Sequence, residues 1–329
     1  MKTAFCIAGV QKGGTTALTG FLRGHPELAL SRKRETHFFD HEEFFARKTP
    51  PFDIYHRCFD MDGKRFAGET TPAYSYWPAT ARRIHAYNPE MKLIILLRNP
   101  VDRAWSHYQM ELKRGAEKLP FEQAIGIEKD RRRAAWPFPD RVHSYVDRGF
   151  YAPQLERILS VFPESQVLCI KNEDLQRRHH DVLRRVYGFL EVDVGAHMPE
   201  PRSIFSQNYD PVPPQTRARL LRSFAPDVAR LQEMLGWDCS EWMKPIAGER
   251  LAEPEFDQAE FPPDGANSLP LLKRLIVARP HVRRCRACRR AFISIRYDRR
   301  VKYCRNPGCV HESEEAWLAE STGPDPERD

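Results

Sequence analysis

Two kinds of hydrophobic spacing alternate along most of this 329-residue chain. Short, nearly unbroken apolar runs are followed by longer stretches whose apolar positions recur every three or four residues. The first kind reads as strands covered on both faces, the second as helices with one buried side. Met91-Lys-Leu-Ile-Ile-Leu-Leu97 is the clearest strand, joined by Ala4 to Ala8 and by Gln166-Val-Leu-Cys-Ile-Lys171. Arg65-Phe-Ala-Gly-Glu-Thr-Thr-Pro72 predicts a strand stopped at a proline turn, and a short strand opens the mixed stretch from Leu28 to Asp40. Helical spacing covers Thr15 to Leu22, Pro78 to Tyr87, Tyr151 to Phe162, Val182 to Leu190 and Gln215 to Leu235. Asn99-Pro100 supplies an N-cap and first-turn residue for a helix running to about Arg114. Strands alternating with helices predict an α/β fold on a central, mainly parallel sheet.

The junction of the first strand with the first helix carries chemistry. Gly9-Val-Gln-Lys-Gly-Gly-Thr-Thr16 is a glycine-rich turn between the two. Such turns let backbone N–H groups converge on a phosphate, and the helix N-terminus adds its dipole. Gly9 and Gly14 have the spacing of the first half of a Walker A loop, but Thr15-Thr16 follow where that loop has Lys then Ser or Thr. The loop's lysine stands earlier, at Lys12. The pattern is P-loop-like without the parts that hold a metal-bound triphosphate. In a parallel sheet ligands bind beyond the C-terminal strand ends, where this loop and Arg98 both fall.

Charge changes the picture towards the C-terminus. Between Lys273 and His311 stand thirteen Lys and Arg and one acid, Asp298, a net +12 that leaves −5 for the rest of a chain whose total is +7. The main body is therefore not a general nucleic-acid binder. A mean hydropathy of −0.62 fits a soluble protein. No apolar run reaches the roughly 18 residues of a membrane span. Met1-Lys-Thr leads straight into the first strand with no leader, so a cytoplasmic protein is expected, its eight cysteines free or metal-bound. Cys285-Arg-Ala-Cys288 and Cys304-Arg-Asn-Pro-Gly-Cys309 flank a β-like stretch, Ala291 to Ile295. That reads as a small four-cysteine, zinc-ribbon-like module with a closed structural site, in which His281 or His311 is a substitute ligand. The arginines around it suit nucleic acid, another polyanion, a protein or plain solvent. Cys6, Cys58, Cys169 and Cys239 read as core or incidental cysteines.

Several ordered motifs together resemble the sulfotransferases that use 3′-phosphoadenosine 5′-phosphosulfate (PAPS), the carbohydrate branch with the heparan sulfate enzymes above all. They are the opening loop, Glu35-Thr-His-Phe-Phe-Asp40, Gly68-Glu-Thr-Thr-Pro-Ala-Tyr74, Leu97-Arg-Asn-Pro-Val-Asp-Arg-Ala-Trp-Ser106 and Arg148-Gly-Phe-Tyr-Ala152. The resemblance implies a three-layer fold and a 5′-phosphate held by Gly13, Gly14, Thr15 and Thr16. It implies that Lys12 stabilises the oxygen left behind as the S–O bond breaks, with no Mg²⁺ required. It assigns Arg98 and Ser106 to the 3′-phosphate, and brings Tyr151 near the nucleotide or leaves it in the core. Arg103 is a helper there or a solvent ion pair. Glu35 is the implied base towards the acceptor and His37 the runner-up. A base needs its pKa lifted, and the neighbouring aromatics are expected to do that, unless Glu35 merely pairs with Arg32 or Arg34. Thr70 departs from relatives that have a second active-site lysine there.

The expected organisation is a sulfotransferase domain over residues 1–243, a Pro-rich linker over 244–270, the zinc module over 271–311 and an acidic tail over 312–329. The expected activity is sulfuryl transfer from PAPS to a hydroxyl or amine of a carbohydrate-like or small-molecule acceptor. The segment 115–147 is a candidate wall of the acceptor site. The alternatives are a nucleotide kinase or NTPase that uses the loop differently, and a zinc-ribbon protein that binds nucleic acid or another polyanion.

Overall fold

The hydrophobic runs do become strands. A computed structural model describes residues 2–201 and 210–244, together with the backbone of 281–284 and 291–294. The chain resolves into two units, residues 1–132 with 139–249, and residues 133–138 with 250–329.

The first unit opens with β1 (Phe5–Gly9), α1 (Thr15–Leu22), β2 (Leu28–Leu30), α2 (Glu42–Phe45), α3 (Phe52–His56), β3 (Phe66–Thr70) and α4 (Thr80–Tyr87). Next come β4 (Lys92–Leu97), α5 (Pro100–Lys113), α6 (Phe121–Gly126) and α7 (Glu128–Ala135), whose end passes into the other unit. It closes with α8 (Ala152–Leu159), β5 (Val167–Lys171), α9 (Asn172–Arg177), α10 (His179–Leu190) and α11 (Pro214–Leu235). The second unit contains β6 (His281–Arg284) and β7 (Ala291–Ser294), an antiparallel pair with Arg284 opposite Ala291. Cys285, Cys288, Cys304 and Cys309 lie outside the described residues.

Strands β1 to β5 form one sheet in the order β2-β3-β1-β4-β5, with every pair parallel. From β1 the chain goes to one side to build β2 and β3, then crosses to β4 and β5 on the other. The strand order therefore reverses beside β1, and the loops after β1 and β4 leave the sheet at this switch point, where ligands bind in open parallel sheets.

Burial explains the near-continuous apolar runs. Leu93 to Leu97 are all fully buried, so both faces of β4 are covered. One face packs against α1 and α10: Phe5, Ile7, Ile94, Leu96 and Ile170 meet Leu18, Phe21, Leu22, Leu183, Val186 and Leu190. The predicted strand and helix cores match the observed elements, while the short α2, α3, α6, α7 and α9 lack a long enough apolar period to be read. Asn99 caps α5 as expected, accepting from Val101 N at 2.9 Å and Asp102 N at 3.3 Å.

The β1–β3 pairing depends on a missing side chain. A Cβ on Gly68 would fall 2.0 Å from the Phe5 ring, which is itself fully buried. Gly68→Ala is therefore expected to destabilise the protein by roughly 1–3 kcal/mol, the usual range for overpacking, measured by urea unfolding. A neutral result would mean that Phe5 repacks freely.

Candidate functional site

The loop between β1 and α1 is held by backbone and by close approach. Val10 N donates to Leu96 O at 2.9 Å, and Gly13 N donates to Val10 O at 2.9 Å. A Cβ on Gly13 would sit 2.5 Å from Leu96 O, and one on Gly14 would sit 2.1 Å from Asn172 Nδ2. Gly14 also has φ +98°, which glycine alone adopts without strain, and Lys12 takes φ +67°. Asn172, the first residue of α9 directly after β5, donates to Gly13 O at 3.0 Å and closes the turn from beyond the far strand. Gly13 thus uses its own N–H inside the loop. The first-turn amides of Thr15 and Thr16, which have no acceptor within α1, are left for an anion.

Around this loop the charge is cationic. Arg103, on α5, is fully buried and donates to Gln11 O at 3.4 Å and to Tyr145 O. Arg148 is also buried, and its Nη1 donates to Gln11 Oε1 at 2.5 Å. Among the described residues neither guanidinium forms an ion pair with a carboxylate. Burial pushes the Arg103 pKa down to about 10. His107, one helix turn on from Arg103, is fully buried with neither ring nitrogen in a hydrogen bond, its Nε2 lying 3.8 Å from Glu111 Oε1. Burial, then the charges of Arg148, Arg103, Lys12 and Arg114, holds His107 well below its usual value, so it stays neutral. Cations taken out of water without a partner are costly, and this arrangement fits a bound polyanion.

Arg98 directly follows β4, and Ser106 lies buried two turns into α5 on the face that carries Asn99 and Arg103. Tyr151 is fully buried and donates from its hydroxyl to Arg98 O at 2.8 Å. That bond ties the Tyr151 ring to the Arg98 turn. The solvent ion pair considered for Arg103 is replaced by a buried anchor on the loop.

Glu35, His37 and Asp40 form a second cluster. His37 Nε2 lies 3.0 Å from Glu35 Oε2, and its Nδ1 lies 2.9 Å from Asp40 Oδ2. Asp40 is fully buried and also holds the Arg141 guanidinium. The backbone at His37 is left-handed, φ +51°, so the contact with Glu35 arises from a turn. The expected lifting of Glu35 is also overturned. Burial raises its pKa, but the His37 hydrogen bond and charge, with Arg34 and Arg114, outweigh it and the net shift is downward. The neighbouring aromatics point elsewhere: Phe38 stacks on Tyr55 at 4.7 Å, and Phe39 meets Tyr74 edge-on at 5.7 Å. His37 moves up despite burial, because two carboxylates flank it. Asp40 lies well below its usual value; burial opposes this, but Arg141 and His37 prevail.

A buried carboxylate with no role read from the sequence fastens this segment to the sheet. Glu69, on β3, is fully buried and accepts from Tyr55 OH at 2.7 Å, Thr71 Oγ1 at 2.9 Å, Tyr74 OH at 3.2 Å and Thr36 Oγ1. Burial raises its pKa against these four donors. Thr70 turns to Thr19 on α1, with the two hydroxyls 2.6 Å apart. The signal for Glu69 was an acid inside an otherwise apolar strand. Asn172, Arg141 and Arg148 left no local signal of their contacts.

A family model described as "Sulfotransferase domain" matches residues 2–203. The chain belongs to the sulfotransferase family. A crystal structure of a sulfotransferase from Alicyclobacillus acidocaldarius superposes with a TM-score of 0.64 at 33% identity, covering 74% of this chain and 100% of that one. Heparan sulfate glucosamine 3-O-sulfotransferase 6 of Homo sapiens is 37% identical over 188 residues, 56% of this sulfotransferase chain and 51% of the relative. The bifunctional heparan sulfate N-deacetylase/N-sulfotransferase of Drosophila melanogaster is 29% identical over 206 residues, 57% of this chain and 19% of the relative. The chain spans about half the length, or less, of the curated relatives it matches. Among the described residues no helix is long and apolar enough to cross a membrane, and no three His, Cys, Asp or Glu side chains gather as a metal site.

The electrostatics of the second cluster give a direct check. His37 should titrate above its ordinary value in a histidine NMR experiment. Asp40→Asn removes the largest upward influence and leaves burial, so the titration should move down. An unshifted His37 in that variant would dissolve the cluster.

Proposed function

We propose that this sulfotransferase moves a sulfuryl group from PAPS to a hydroxyl, or an amine, of a carbohydrate-like acceptor. The observation that carries this reading is the pair of buried, carboxylate-free guanidiniums, Arg103 and Arg148, around a loop whose geometry admits only glycine at position 14. When bound, PAPS supplies the sulfuryl group, released as its S–O bond to the 5′-phosphate breaks. The first-turn amides and hydroxyls of Thr15 and Thr16, with Gly14, hold the 5′-phosphate, and Gly13 keeps the turn tight. Lys12 stabilises the charge that gathers on the phosphate oxygen as it leaves, an electrostatic task that requires no Mg²⁺. Arg98 and Ser106 hold the 3′-phosphate.

Glu35 accepts the proton of the acceptor hydroxyl as the acceptor oxygen bonds to sulfur. The products are a sulfate ester, 3′-phosphoadenosine 5′-phosphate and a proton carried by Glu35. With its pKa lowered, Glu35 is a weaker base than a carboxylate poised near neutrality, but it is ionised across the physiological range. His37 fixes its orientation. A carbohydrate acceptor agrees with the named activities of the relatives, and basic Arg32-Lys-Arg34 beside Glu35 suits an acidic one. The NTPase alternative is disfavoured by Thr15 in the Walker lysine position.

For the second unit we propose a structural zinc held by Cys285, Cys288, Cys304 and Cys309. The support is the antiparallel pairing of β6 and β7, which flank the Cys285-x-x-Cys288 stretch in the chain.

Calorimetry with 3′-phosphoadenosine 5′-phosphate should show binding, and absence of affinity would remove the reading. Lys12→Ala should lower transfer by about 10²–10³-fold. For kcat/KM, the acid limb should lie below the usual glutamate value, since the Glu35 pKa is lowered. His37→Asn leaves burial as the dominant influence on Glu35 and should move that limb to higher pH. Metal analysis should return about one zinc per chain, and less than roughly half an equivalent refutes the zinc site.

A further inference from the structure

One segment touches both clusters. Residues 140–148 begin with a tight turn, in which Asp140 Oδ1 accepts from Val142 N at 2.8 Å and His143 N at 2.9 Å. The turn presents the Arg141 guanidinium to Asp40, where it donates to both the carboxylate and the backbone carbonyl. The same guanidinium lies 4.0 Å above the Trp77 ring. Arg141's own carbonyl accepts from Arg148 Nη2 at 3.0 Å, and Arg148 Nη1 reaches Gln11 beside Lys12. At the far end of the segment, Val146 N and Asp147 N are both clamped at 2.8 Å by the buried Glu128 carboxylate. The result is an unbroken run of polar contacts from Gln11 through Arg148, Arg141, Asp40 and His37 to Glu35.

We propose that Arg141 and Arg148 are paired positioning residues that tie the base cluster to the phosphate loop, so that Glu35 is aligned when the loop is correctly set. The proposal rests on the sulfuryl-transfer reading above for its kinetic part only. Three observations carry it. Arg141 and His37 share one oxygen, Asp40 Oδ2, so Arg141 sets both the position of that carboxylate and its pull on the imidazole. Arg148 is buried beside the loop with no carboxylate partner among the described residues, so its hydrogen bonds are what fix it. Thr70 is neutral and turned towards Thr19, whereas Arg141 brings a cation directly onto the Asp40 carboxylate.

The cations that act on the cluster include Arg34 from its own segment, Arg114 following α5, and Arg141. Removing the Arg141 charge leaves His37 facing an uncompensated Asp40. Arg141→Met should therefore raise the His37 titration point further, and Arg141→Lys, which keeps the charge, should raise it less. This readout involves no substrate. An unmoved or lowered His37 in Arg141→Met would overturn the proposal whether or not the chain transfers sulfate.

With PAPS and an acceptor, Arg141→Met should lower kcat by roughly 10- to 100-fold, the scale of a misaligned reacting group, with affinity for 3′-phosphoadenosine 5′-phosphate within about twofold of wild type. Arg148→Met should weaken both. The double variant should lose less than the product of the two single losses, because one chain of contacts is broken twice. Multiplicative losses, or an Arg141→Met loss confined to nucleotide affinity, would show two independent anchors and refute the coupling. If Arg141→Met does not fold, Arg141→Lys carries the same test: an intermediate kcat supports the proposal and a wild-type kcat refutes it. Failure of wild-type protein to bind the nucleotide would sink the sulfotransfer reading and leave the His37 titration to decide this one.

Discussion

The site depends on how closely the β1–α1 loop lies against the end of β4. Leu96 O receives Val10 N, and it stands so near Gly13 that no side chain fits there. Asn172 closes the same turn from just after β5. Three neighbouring parallel strands therefore share the task of shaping one loop. The packing of Phe5 on Gly68, the burial of both faces of β4 and the helices over Ile7 and Leu96 all serve to keep those strand ends level. A backbone cradle of this kind is preorganised, because its donors are already oriented before charge develops on a ligand.

The second organising element is polar. Glu69 lies in the sheet with four hydroxyl donors, and one of them, Thr36, begins the turn that carries His37 and Asp40. Tyr74 OH accepts from Phe38 N at 3.0 Å and Phe39 N at 3.2 Å, so the turn is fastened by backbone as well. A satisfied buried network rigidifies what it holds. Here it sets the left-handed His37, and with it the contact between His37 and Glu35.

Much of the fold was legible because its signals are local. The apolar run before Arg98, the Asn99-Pro100 cap and the glycine pair at positions 13 and 14 each announce their structure within a few residues. The candidate site was legible in its types of residue and less so in their electrostatics. Glu35 reads as a carboxylate that its aromatic neighbours should raise, whereas Phe38 and Phe39 turn into the aromatic core and His37 lowers it. The contacts that decide such matters join distant residues: Asn172 to Gly13 spans 159 positions, Arg148 to Gln11 spans 137 and Arg141 to Asp40 spans 101. Periodicity and spacing carry no information at that range. Arg103, about one helix turn from Asn99, was similarly ambiguous until its burial decided it.

The buried guanidiniums have a consequence for how this protein responds to change. Without an anion beside them, Arg103 and Arg148 are desolvated cations held by hydrogen-bond acceptors and, for Arg148, by the face of the Tyr76 ring, a configuration whose stability apolar side chains of similar size often match or exceed. Substitutions there that improve the thermal tolerance of the ligand-free chain are thus the ones to distrust. The same feature sets a conflict between robustness and activity, and selection for heat resistance alone would erode the anion site first.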